Sequence, residues 1–82
     1  MMEQIARVEE IQVKADATGQ PLNLLRRGKR SIVTRITDHW RIWDEWWKSE
    51  IKRDYFRIET SNNMVYEIYH DIVGNRWYLS KR

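Results

Sequence analysis

Apolar and polar residues alternate along most of this chain, and over most of it the alternation has a period of two. In "VEEIQVKA", residues 8–15, Ile11, Val13 and Ala15 recur at every second position, which gives an extended segment one apolar side. The residues that follow, "DATGQP", favour turns: Asp bonds its own backbone, Gly accepts positive φ and Pro fixes φ. A strand and its exit are therefore expected. "LNLLRR" and "RSIVTRIT" flank Gly28 and Lys29. In the second of these, Ile32, Thr34 and Ile36 alternate with Val33, Arg35 and Thr37, and Gly28 supplies the left-handed geometry of a tight hairpin.

Farther along, "YFRIET" and "MVYEIYH" are joined by "SNN", whose residues tolerate left-handed backbone. Tyr55, Arg57 and Glu59 alternate with Phe56 and Ile58, and Val65, Glu67 and Tyr69 alternate with Tyr66, Ile68 and His70. "DIVGNRWYLSKR" turns once more at Gly74 and Asn75 before Trp77 and Leu79 point to one side. Successive strands joined by short turns make an antiparallel meander, and closure would remove the open edges that invite aggregation. The expected fold is mostly β: a small antiparallel meander barrel of five or six strands, with a Trp-rich loop or short helical turn. Residues 1–7 are expected to be a flexible N-terminal tail and residues 8–82 a single domain.

That Trp-rich element is "DHWRIWDEWWKSE", residues 38–50, where period two does not decide. Ile36, Trp40, Trp43, Trp47 and Ile51 form a helical stripe, yet Ile36, Trp40 and Ile42 share strand parity with Ile32. The strand-like residues before it place 30–42 on a long, bent strand and 43–53 on a loop with a helical turn. Size bears on where the rings go. With 82 residues and no cysteine, neither a disulfide nor a thiolate zinc site can staple the fold. The five Trp, four Tyr and one Phe are the largest apolar surfaces available, at about 150–250 Å² each. The indole-rich segment is accordingly expected to be mainly an interior wall, with one or two rings left free.

Chemistry-bearing patterns are sparse. The two histidines, His39 and His70, are far apart, no "HExxH" occurs, and the three glycines stand alone at turns, so neither a metal site nor a phosphate loop has a signature. Asp38 beside His39, and His70 beside Asp71, are strand neighbours that point to opposite faces. Ser31, at the start of a strand, lacks any nucleophile context. The expectation is a non-enzymatic protein with no metal and no cofactor. No apolar run approaches the roughly 18 residues of a membrane span, and the first residues lack a signal peptide's pattern, so a cytoplasmic protein is expected.

Net charge is only +3, but its distribution is uneven. Arg26, Arg27, Lys29 and Arg30 crowd one exposed turn, where mutual repulsion is tolerated for solubility or for meeting an anionic partner. Trp46 and Trp47 are adjacent, so on an extended chain at least one faces away from the core. Such a ring beside cations is the equipment of single-strand binding, the ring stacking on a base while the cations track phosphates, and it is equally a protein hot spot. The candidate binding residues are Arg26, Arg27, Lys29, Arg30, Trp46 and Trp47. The candidate partners are nucleic acid, single-stranded favoured, a DNA-repair protein, or a second copy.

As a set, "EEIQVKADATGQPLNLLRRGKRSIVTRITDHWR", "EWW", "RDYFRIET", "VYEIYHD" and "RWYLSKR" resemble a family of small uncharacterised bacterial domains. Those domains occur free-standing and as the C-terminal extension of ImuB-type proteins, inactive relatives of Y-family DNA polymerases. The likeness covers about residues 9–82, and the family's "WW" pair falls on Trp46 and Trp47. It implies association with DNA damage tolerance or translesion synthesis, by contact with DNA or with another repair protein, and supplies no catalytic residue. The polymerase-like body is absent from this chain.

Overall fold

The computed structural model describes residues 7–46 and 49–81, all of it strands and turns. Six strands follow in order: β1 (Arg7–Ala15), β2 (Pro21–Arg26), β3 (Lys29–Trp46), β4 (Ser49–Thr60), β5 (Val65–Asp71) and β6 (Arg76–Lys81). Every neighbouring pair is antiparallel, and β1 also pairs with β6, which closes a six-strand barrel. The expected tail, residues 1–7, lies outside the described residues apart from Arg7, where β1 begins.

Period two explains the interior of β4, β5 and β6. Phe56, Ile58, Ile68, Trp77 and Leu79 face inward and are buried, joined by Ile11 from β1 and Leu24 from β2. Ile58 and Ile68 are fully enclosed. Removing each such side chain from water contributes about 1.5–3 kcal/mol, which is the main support of a fold without cysteine.

The outer face carries a second aromatic system. Trp40, Tyr55, Tyr69 and Tyr78 are successive cross-strand partners on β3, β4, β5 and β6, with ring centroids 5.4, 4.8 and 5.2 Å apart along the row. Tyr69, in the middle, is only 6% exposed although it points outward. Its neighbours' rings flank it, and the Arg53 guanidinium lies 4.8 Å from its centroid. This burial holds the Tyr69 phenol above its ordinary pKa.

β3 departs from simple alternation twice. Register shifts occur between Val33 and Arg35 and between Ile36 and Asp38, each accommodating one extra residue, Thr34 and Thr37. Both are used: the Thr34 hydroxyl donates to the Glu59 carbonyl at 3.1 Å and the Thr37 hydroxyl to the Arg57 carbonyl at 3.2 Å. Because each bulge resets parity, Val33 and Ile36 both pack against the core, while Ile32 is exposed. The bulges also increase the local bend and twist of the strand.

The Trp-rich segment corrects the sequence expectation. No loop or helical turn occupies 43–46 or 49–53: β3 runs to Trp46, β4 starts at Ser49, and the two pair continuously from Asp38↔Arg57 to Trp46↔Ser49. Antiparallel pairing satisfies both backbones, and that decides between the two periodicities. Nor is the segment an interior wall. Trp40 is on the outer face, and Trp43 is 62% exposed on a two-stranded arm formed where β4 extends past its pairing with β5 at Arg53↔Asp71. Of the described indoles, Trp77 is the one in the core.

Candidate nucleic-acid interface

The basic turn between β2 and β3 has two central residues. Arg26 and Lys29 are cross-strand partners, and Arg27 and Gly28 take φ of 53° and 78°, the double positive φ of a type I′ hairpin turn. Asn, Asp or Gly is the usual first residue there. An arginine in the left-handed region costs about 1–2 kcal/mol, so Arg27 is a strained placement of a charge.

Strand parity sorts the four cations. Arg26 and Lys29 share the inner side of the ladder with Leu24 and Ser31, whereas Arg30 is paired with Leu25 on the opposite side, where its Nη1 donates to Asn23 Oδ1 at 2.9 Å. Arg26, Arg27 and Lys29 therefore gather at the mouth of the barrel and Arg30 does not. Together with Leu24, Ser31, Asn62 and Tyr66 they line a cleft of about 260 Å³. Asn62 and Tyr66 arrive from the β4–β5 connection and the start of β5, because alternate turns of a meander fall at the same end. The Thr60 hydroxyl bonds Asn62 Oδ1 and also contacts the Met64 backbone, which fixes that second turn.

The charge of the cleft is partly balanced. Arg26 donates from Nε and Nη2 to Glu9 Oε1, both at 3.2 Å, and its guanidinium lies 5.9 Å from the Tyr66 ring centroid. Arg27 Nε is 3.8 Å from Glu9 Oε2, but its side chain is 68% exposed, so water screens that pair. Arg26 is thus held as part of the wall, while Arg27 and Lys29 present charge to solvent. The cleft offers cations, a hydroxyl, an amide and one aromatic ring: groups suited to a phosphate and an adjoining flat ring.

The tryptophan pair is elsewhere. Trp46 is the last residue of the strand that Lys29 begins, which puts the two ends of the expected joint site at opposite ends of β3. Trp47 lies outside the described residues. The structure does not bring Trp46 to the basic turn.

The chain belongs to a family defined by a domain of unknown function, DUF6504, whose model matches residues 1–82. No curated protein and no solved structure matches it. The match covers the barrel, the cleft and the arm alike.

Sequence reasoning missed Ser31, Asn62 and Tyr66 as cleft residues. A signal existed: Tyr66 has the parity of Ile68, and in a meander the "SNN" turn falls at the same end as "RRGKR". It also missed a cluster at the base of the arm. Arg41 holds Asp54 with two bonds, Nε to Oδ1 at 2.7 Å and Nη2 to Oδ2 at 3.0 Å; His39 Nε2 stands 3.6 Å from Asp54 Oδ1. The Arg41 hydrogen bond, chiefly, holds Asp54 below its ordinary carboxylate pKa. His39 thus meets the carboxylate across the sheet, while its sequence neighbour Asp38 bonds its backbone N–H. The His39 ring is stacked on Phe56 with centroids 4.4 Å apart.

Proposed function

We propose that the chain is a non-enzymatic accessory module that binds single-stranded nucleic acid at the barrel mouth, in DNA damage tolerance or translesion synthesis. The supporting observation is the cleft in which Arg26, Arg27 and Lys29 surround Tyr66, Ser31 and Asn62. Arg27 and Lys29 would meet phosphates, and the Tyr66 ring would meet a base. The strained placement of Arg27 favours this reading over plain solubilising charge, because a lysine or arginine at an unstrained position would serve solubility as well. The role in DNA repair rests on the resemblance to domains appended to ImuB-type proteins.

Fluorescence anisotropy with a labelled oligothymidylate tests the proposal. Binding is expected at low salt, with log K falling against log salt at a slope of about −2 if three phosphates are neutralised on a single strand. Arg27→Gly combined with Lys29→Ala is expected to weaken binding while preserving the turn, since glycine relieves the left-handed position. Glu9→Gln, which removes the balancing carboxylate, is expected to strengthen it. No binding at low salt, or binding indifferent to all three changes, would end this reading.

A second reading, a protein-interaction module, is favoured by one observation, the exposed Trp43 on the arm. It predicts an association with little salt dependence that Trp43→Ala removes and Arg27→Gly leaves intact.

A further inference from the structure

One edge of β3 pairs with β4 from Val33 onward, and the other pairs with β2 only from Lys29 to Ile32. From Val33 to Trp46 that second edge has no ladder partner among the described residues. Two hydrogen bonds reveal which backbone groups it presents. The His39 N–H donates to the Asp38 carboxylate at 3.0 Å, so it points away from β4. The Ile72 N–H donates to the Lys52 carbonyl at 2.9 Å, so Lys52, the partner of Trp43, bonds on its β5 side. In an antiparallel ladder the two backbone groups of a residue share one side and successive residues alternate. His39, Arg41 and Trp43 therefore offer their N–H and C=O groups to the open edge, and Trp40, Ile42 and Asp44 spend theirs on β4.

The two halves of this edge are treated differently. The first is blunted, by the bulges at Thr34 and Thr37 and by the Asp38 carboxylate over the His39 donor. The second runs in regular register to Trp46, without proline or lysine, and exposes Ile42 at 42% as well as Trp43. A regular edge that exposes large apolar side chains is what proteins avoid unless something pairs with it.

We infer that this edge joins two copies of the chain, β3 against β3 antiparallel, across a two-fold axis at Ile42. Isologous strand pairing sets residue i against 84 − i about that axis, so the run 40–44, inside the capped His39 donor, pairs with itself. Arg41 and Trp43 of opposite copies then exchange backbone hydrogen bonds, with the guanidinium beside an indole; Trp40 faces Asp44, and Ile42 faces Ile42. No charged residue among these meets its like. A shift of the axis by one residue, to Arg41, would oppose Arg41 with Arg41 and Asp38 with Asp44, which is destabilising. The self-complementary charges select a second copy over an unrelated strand.

Sedimentation equilibrium of the full chain from micromolar to millimolar concentration tests this. The expected result is a concentration-dependent dimer. Trp43→Pro removes an edge donor without costing a β4 bond and is expected to give a monomer with an unchanged far-UV circular dichroism spectrum. Ile42→Lys places two cations across the axis and is expected to weaken the dimer about tenfold. A monomer throughout, or a Trp43→Pro protein that dimerises like the original, would overturn the inference. If Trp43→Pro does not fold, amide exchange in the unaltered protein decides: protection of Arg41 and Trp43 N–H that grows with concentration supports it, and rapid exchange of both at every concentration refutes it. Nucleic-acid binding at the barrel mouth can succeed or fail independently of either outcome.

Discussion

The barrel wall and the β3–β4 arm are built from the same kind of residue and use it oppositely. In the wall, Phe56, Ile58, Ile68 and Leu79 are enclosed by six strands. On the arm, Trp43 lies on a two-stranded ribbon, and Ile42 at its base is likewise exposed. A ribbon has no layer to cover its faces, so its apolar side chains cannot be enclosed without a third element. The polar groups nearby compensate in part: Trp43 Nε1 donates to Glu50 Oε2 at 3.2 Å, and Lys52 Nζ stands 4.3 Å from its ring centroid. Hydrophobicity along the chain therefore has two meanings here, support of the fold in the wall and availability for contact on the arm.

The largest expected effect follows directly. Ile68→Ala removes a fully enclosed side chain and should cost about 2–5 kcal/mol, lowering the melting temperature of a domain this size by about 10 °C or more. Trp43→Ala deletes a far larger side chain, yet should cost about 1 kcal/mol or less, the worth of an exposed cation–π contact. Thermal denaturation followed by circular dichroism compares them at low concentration. Equal losses would place the arm in the same cooperative unit as the core and erase the contrast.

The aromatic row on the outer face lies between these extremes. Tyr69 has two ring neighbours, Tyr55 tilted against it and Tyr78 stacked on it, whereas Trp40 stacks on Tyr55 alone among the rings described. At about 0.5–1.5 kcal/mol per aromatic pair beyond burial, Tyr69→Leu should cost about 1–3 kcal/mol and Trp40→Leu about half as much. Urea unfolding midpoints would rank the two, and a larger loss at Trp40 would mean that the row draws its strength from the arm.

Much of this was legible before any coordinates. Strand parity separated the two faces of β4, β5 and β6, because those strands are regular and each covers the same core. β3 was not legible, for two physical reasons. Its bulges at Thr34 and Thr37 reset the parity, so Val33 and Ile36, three apart, both turn inward, and no fixed period describes that. Its second half satisfies helical and strand spacing at once, and only pairing with β4, a non-local term, separates them. The basic turn was recognised as a cationic cluster, but the division of Arg30 from Arg26 and Lys29 depends on ladder parity around Gly28. That Trp46 ends the strand which Lys29 begins depends on the length of β3.

The smallest effect concerns the junction where arm meets wall. Asp54 belongs to the wall's inner side and is held by Arg41 from β3, with His39 facing the same carboxylate. Its pKa is lowered from 3.8, first by the Arg41 hydrogen bond and against the desolvation that burial imposes. A carboxylate whose folded pKa lies below its unfolded value stabilises the fold at pH above the unfolded value, and that contribution is lost as pH falls through the folded one. Asp54→Asn removes it at every pH. The urea midpoints of the two proteins should therefore differ modestly near neutrality, since Arg41 is exposed and the pair is screened, and should converge below about pH 4. Asp44→Asn should move the midpoint at neutral pH by much less, because Asp44 is exposed on the arm and its Cα partner is the apolar Ile51. A gap between Asp54→Asn and the unaltered protein that persists unchanged into acid would show that the Asp54 carboxylate contributes by shape and not by charge, and that wall and arm are joined by packing alone.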